Sequence, residues 1–179
     1  TFDGGNRVPC IVYWKGKTKP GTTCNKLASN IDLFPTFAEV AKAPLPANKI
    51  DGVSILSLIE GKEEANPRES FAYYYNKNDL EAVTDGMFKL VFPHKYVTYG
   101  AYEPGNDGQP GKLTNLELTK PELYDLRRDP GERYNVIGQY PDEVAKLMKI
   151  ADKMRGELGD DLTRKKGTER RQPAFVNAK

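Results

Sequence analysis

Two short stretches carry residue types that could do chemistry. The first is Asp3-Gly4-Gly5-Asn6-Arg7, where a carboxylate and a guanidinium flank a glycine pair. Opposite charges around a glycine turn can pair and satisfy backbone groups, and a glycine pair before a strand reads by itself as a structural turn. The second is His94-Lys95, holding the single histidine and followed by Tyr96, Tyr99 and Tyr102. Two potential cations beside aromatic faces suit an anionic aromatic or sugar, whose ring can stack while its charge is neutralised. A surface histidine in a turn is the plainer reading of His94. Cys10 and Cys24 match no metal-site spacing. They read either as two semi-buried thiols or as a disulfide, which across a ~14-residue loop would add about 3 kcal/mol. Asp160-Asp161 reads as a solvated helix end. The cations from Arg164 to Arg171 read as a solvated or packing tail.

The elements that must position these residues follow from pattern and punctuation. Val8 to Trp14 is an apolar, β-branched run with the look of a buried strand. A Gly/Pro/Lys turn region covers Lys15 to Thr23. A helix is predicted from Leu33 to Ala43, with Asp32 as N-cap, Pro35 in its first turn and Phe34, Phe37, Ala38 and Ala41 on one face. Val53 to Ile59 reads as a short helix ended by Gly61. Charges from Lys62 to Glu69 mark a linker, which divides the chain into 1–66 and 67–179. Phe71 to Tyr75, Ala82 to Thr84 and Phe88 to Phe92 then form an antiparallel meander, with Asp85-Gly86 as a tight turn. His94 to Lys112 reads as one long loop of Gly, Pro, Asn and Tyr, which at that length is functional or mobile. Glu122 to Leu126 returns as a strand, closed by Asp129-Pro130-Gly131. A last helix starts at Pro141 and lays Val144, Leu147, Met148, Ala151, Met154 and Leu158 along one face.

Composition sets wider bounds. The 179 residues are 38% hydrophobic and 29% charged, enough for one core or one core with a dependent piece. A formal net charge of +2 is too slight to announce a nucleic-acid partner. No apolar run approaches the roughly 20 residues of a membrane-spanning helix, so no membrane partner is expected.

Four phrases in register carry a family resemblance: Gly4-Gly5-Asn6-Arg7-Val8-Pro9, Tyr13-Trp14-Lys15-Gly16, Ile31-Asp32-Leu33-Phe34-Pro35-Thr36 and Asp51-Gly52-Val53-Ser54. Together with Asp85 to Leu90, Leu123 to Glu132 and Leu158-Gly159-Asp160, they make the chain resemble the C-terminal part of the sulfatases, of the alkaline-phosphatase-like superfamily. The resemblance implies an α/β class that becomes α+β in the second part. Residues 1–66 would supply an edge strand and helix of the large α/β domain. Residues 67–179 would be a small subdomain of antiparallel sheet packed on a long C-terminal helix.

Sulfatases hydrolyse sulfate esters with a formylglycine made in a C/S-x-P-x-R motif, beside calcium or a similar divalent metal. Neither that motif nor the paired aspartates of the metal site occurs here. The resemblance therefore implies that nucleophile and metal lie in an N-terminal half, which would be this chain's partner, and that the chain alone is inert. It implies edge support from Asp3, Gly4, Gly5 and Arg7, and substrate binding by His94 and Lys95. It also implies a sulfated small molecule or glycan as substrate and an extracytoplasmic setting, whether periplasmic, secreted or lysosome-like. Self-association through an exposed sheet edge is expected of the chain by itself. Two other readings are a phosphodiesterase or phosphonate hydrolase of the same superfamily, and a non-catalytic module that binds sulfated glycans.

Overall fold

The computed structural model describes residues 1–62, 64–99, 107–109 and 111–171. Tyr102 and the middle of the stretch from His94 to Lys112 lie outside them. The chain opens with a single helical turn, α1 (Asp3–Asn6). Gly4 and Gly5 sit in ordinary helical backbone there with open space around them, so the turn does not depend on their lack of a side chain.

Val8 to Trp14 does not form the strand its pattern predicts. Val8, Ile11 and Tyr13 stand exposed, and no described segment pairs with them. A strand needs a neighbour to take its N–H and C=O groups, and an apolar pattern alone cannot supply one.

Helix α2 (Leu33–Ala41) follows a short 3-10 turn and ends on Lys42 in the left-handed region. Its expected stripe faces outward, with Phe34 56% and Phe37 63% exposed, while Pro35 and Thr36 are buried. Asp32 does not cap α2 with its side chain. It organises the surrounding loops instead, accepting from the backbone N–H of Ser29 at 2.8 Å and of Val53 at 2.9 Å, and from Arg68 Nε at 2.8 Å. Gly52 is obligatory in this knot, because a Cβ there would overlap the carbonyl oxygen of Ile31. The short helix α3 (Leu56–Ile59) follows, and Gly61 takes positive φ just beyond it.

The second part is built on β1 (Phe71–Tyr75), β2 (Asp79–Thr84), β3 (Phe88–Val91), β4 (His94–Thr98), β5 (Thr114–Leu118) and β6 (Glu122–Asp125). A 4-stranded antiparallel sheet has the order β1-β2-β3-β6. Asp85 seats the β2–β3 turn by accepting from the N–H of Met87 and Phe88, and Gly86 takes φ +86°. Helix α4 (Pro141–Leu158) starts on its proline and lays Leu147 and Ala151 onto one sheet face, against Leu80, Val83, Leu90 and Leu123.

Two expectations give way here. His94 to Lys112 is not one loop: His94 opens β4, which pairs antiparallel with β5 from His94↔Leu118 to Thr98↔Thr114. Turn-forming residues between two β-compatible runs serve a hairpin as well as a loop, which is why the pattern misled. Asp160 is fully buried rather than solvated. Its carboxylate binds Arg155 Nε at 2.9 Å and accepts from the N–H of Leu80 and Leu162. It lies in β7 (Gly159–Asp160), which pairs with β8 (Lys165–Lys166) in the basic tail. Cys10 and Cys24 are exposed free thiols rather than semi-buried ones.

Candidate active-site edge and substrate wall

The sheet face opposite α4 holds the first candidate site. In β3, Phe88 and Leu90 point to the α4 core while Lys89 points the other way, as strand alternation requires. Lys89 is fully buried, and its ammonium donates to Thr1 O at 2.5 Å and Asp3 Oδ1 at 3.1 Å, with Glu132 Oε1 at 3.0 Å. It also lies 4.5 Å from the centre of the Tyr73 ring. Glu132 in turn accepts from the backbone N–H of Asp3 at 2.5 Å. Burial raises the Glu132 carboxyl above its ordinary range, against the opposing pull of Lys89 and the Asp3 N–H.

This cluster fastens the turn Asp3–Arg7 to the sheet. Asp3 uses its second oxygen for Arg7, with Nε at 2.9 Å and Nη2 at 2.6 Å, so the expected pairing across the glycines forms. Asp3 is buried, while the Arg7 side chain is 56% exposed. Asn6 bonds the carbonyls of Thr1 and Phe2 and accepts from the Tyr75 hydroxyl at 2.9 Å.

The second candidate site adjoins the first. A cavity of about 550 Å³ is lined by Asp79, Glu81, His94, Lys95, Glu117 and Leu162, among others. His94 is buried, only 5% exposed, and Lys95 beside it on β4 is exposed. The His94 ring is fixed from several sides: Nδ1 is 2.7 Å from Phe92 O, Nε2 is 3.3 Å from Glu81 Oε2, and the rings of Phe2 and Tyr96 stand around it. The surface-turn reading of His94 is thereby replaced by a buried strand position. Thr1 also hydrogen-bonds Glu81 through its hydroxyl. One carboxylate thus joins the two candidate sites.

Sequence reasoning missed Lys89, Glu132 and Glu81. The available signal was a lysine enclosed by Phe88, Leu90, Val91 and Phe92 in a strand, where a buried cation calls for a carboxylate partner. Nothing local pointed to Glu132 or Glu81 as that kind of partner. Among the described residues no group of three or more His, Cys, Asp and Glu is placed to hold a metal ion.

Comparison with known proteins decides the family. Residues 1–103 match the model of the N-sulphoglucosamine sulphohydrolase C-terminal region, and residues 66–174 that of the C-terminal region of aryl-sulfatase. The chain belongs to the sulfatase family. It is 34% identical to arylsulfatase A of Homo sapiens over 173 residues, covering 91% of this chain and 33% of that protein. It is 31% identical to an N-acetylgalactosamine-6-O-sulfatase of Bacteroides thetaiotaomicron over 158 residues, covering 86% of this chain and 28% of that protein. The chain thus spans about a third of the length of these sulfatases.

Solved sulfatases share its fold. A Bacteroides thetaiotaomicron structure from work on glycosaminoglycan metabolism matches with TM-score 0.58 and 29% identity, over 79% of this chain and 28% of that one. The PsFucS1 sulfatase from Pseudoalteromonas matches with TM-score 0.62 at 18% identity, over 79% of this chain and 28% of that one. The class expected from sequence, mixed α and β with an antiparallel second part, is the class observed.

Proposed function

We propose that this chain is the C-terminal part of a sulfuric ester hydrolase acting on a sulfated small molecule or glycan. In it, residues 1–66 complete the large α/β domain, and residues 67–179 form a subdomain that walls the substrate pocket. The observation that carries this is the buried Lys89–Asp3–Glu132 cluster, which fixes the Asp3–Arg7 turn beside the cavity lined by His94 and Lys95. Burying a lysine and two carboxylates to hold one surface turn adds little net stability, which supports a role for that turn beyond packing.

The roles divide by exposure. Arg7 and Lys95 present cationic groups to an anionic ester, and Asp3, Gly4 and Gly5 form the turn that carries Arg7. His94 fills the inner wall of the cavity. Formylglycine and a divalent metal would supply the nucleophile and charge neutralisation; the described residues offer no fit for either, and in this reading both belong to an N-terminal half. The chain by itself is therefore inert. An extracytoplasmic setting accompanies this reading.

The test is His94→Ala in the whole sulfatase, assayed on an aryl sulfate. A fall of about tenfold in kcat/KM, about 1.4 kcal/mol of transition-state binding, is expected. An unchanged value returns His94 to a structural role and removes the wall from the proposal.

A further inference from the structure

Glu81 sits where the two candidate sites meet. It is 5% exposed, and its Oε2 receives the Thr1 hydroxyl and faces His94 Nε2 at 3.3 Å. The proton inventory of this contact follows from simple donor and acceptor rules. A backbone carbonyl only accepts, so His94 Nδ1, 2.7 Å from Phe92 O, must carry a hydrogen. If His94 were neutral, Nε2 would then be bare and would turn a lone pair toward a carboxylate oxygen. Nε2 has no aligned hydrogen-bond partner among the described residues. One further proton, on Nε2 or on Glu81, would turn that repulsion into an attraction.

We propose that Glu81 is a positioning residue of the substrate wall: Glu81 and His94 share one proton, which fixes the His94 ring and keeps the pair neutral toward an anionic sulfate ester. Loss of the proton leaves neutral His94 beside a carboxylate, adding one negative charge at the cavity wall. The pair would then repel the sulfate group that Lys95 attracts. This inference rests on the reading of the cavity as a substrate pocket.

Several described residues stand around the pair. Asp79 lies on the same strand as Glu81, Lys95 and Glu117 come from β4 and β5, and the Phe2 and Tyr96 rings cover the imidazole. Burial raises the Glu81 carboxyl above its ordinary range, with His94 opposing and Asp79 adding to the rise. A carboxyl so placed retains a share in a proton that an exposed one would release.

Two measurements test the proposal. The chain has one histidine, so nitrogen-15 spectra of its imidazole report His94 without ambiguity. At pH 7 the wild-type Nε2 resonance is expected to be that of a protonated or strongly hydrogen-bonded nitrogen, and to differ from Nε2 in Glu81→Gln. A bare Nε2 in the wild type, or identical spectra in the two folded proteins, overturns the proposal.

In the whole sulfatase, KM for 4-nitrophenyl sulfate is expected to rise with pH in the wild type. Glu81→Gln is expected to abolish that rise. His94→Gln, which leaves the carboxylate alone, is expected to raise KM at every pH, to about tenfold above Glu81→Gln at pH 7. Two variants with equal KM and the wild-type pH profile would overturn the proposal, because a packing role would affect both alike. Absence of aryl sulfate turnover would refute the proposed function instead, leaving the spectra to decide whether the proton is shared.

Discussion

Replacing Lys89 by methionine keeps most of the side-chain volume and deletes only the ammonium. In the folded chain that group lies 3.1 Å from Asp3 Oδ1 and 3.0 Å from Glu132 Oε1, with no solvent exposure of its own. Without it, two carboxylates in the 2–6% exposure range face each other with no cation between them. Breaking a buried pair in this way costs about 3–5 kcal/mol. For a chain of this length that corresponds to a Tm lower by about 6–20 °C.

Glu132 gives the deficit a pH dependence with a definite sign. Its carboxyl is raised by burial even with Lys89 present. An acid whose folded pKa is raised costs stability as pH rises past its unfolded value of about 4.3, and costs nothing below it. The Lys89→Met deficit is therefore expected to shrink toward about pH 4 and to widen toward neutrality. Urea unfolding followed by circular dichroism measures both quantities. In the double variant Lys89→Met/Glu132→Gln the summed single losses should not add, since the two groups share one interaction. A Lys89→Met loss below about 1 kcal/mol at pH 7, or strict additivity, would refute the reasoning.

Other outcomes follow from the same structure. Although burial opposes it, Arg68 with the N–H groups of Val53 and Ser29 holds the Asp32 carboxyl below its usual range. That contribution is present above the unfolded value of about 3.9 and is lost as pH falls through the lower folded value, so acid should destabilise the wild type more than Asp32→Asn. Asp32→Asn itself should cost about 3–5 kcal/mol at pH 7 by stranding Arg68, read from urea midpoints. The exposed Phe34 and Phe37 on α2 should bind hydrophobic dyes and promote self-association of the isolated chain. Phe34→Ser/Phe37→Ser should reduce both by light scattering and dye titration. Cys10 and Cys24 are exposed, so both should react with a thiol reagent in the native chain, and a count of one or none would be contrary.

The fold was legible in the sequence wherever an element is stabilised by residues near it in the chain. Helix α4 starts on its proline, carries Asp142 and Glu143 in its first turn, and packs Val144, Leu147, Met148, Ala151 and Met154 of its expected stripe into the core, with Leu158 outside it. The β2–β3 turn announced itself through Asp85-Gly86. The errors arose where partners are distant or absent. Val8 to Trp14 has the pattern of a strand, but pairing needs a second strand that no described residue provides. Asp160 looked like a helix end because Arg155 and Leu80, which bury it, are joined to it only by the fold.

The candidate site shows the same limit. Asp3 and Arg7 are close in sequence, and their pairing was readable. The lysine and glutamates that give the turn and His94 their surroundings come from β2, β3 and the loop after β6, so only the fold could assemble them.

The most direct test of the sulfatase assignment is the ratio of kcat/KM for 4-nitrophenyl sulfate to that for bis(4-nitrophenyl) phosphate, measured on the whole protein with the 179-residue chain as blank. A ratio well above one, with no turnover by the blank, is the expected result. Preference for the phosphate diester would move the parent to the phosphodiesterases of the same superfamily, and turnover by the blank would contradict the claim that the chain is inert alone.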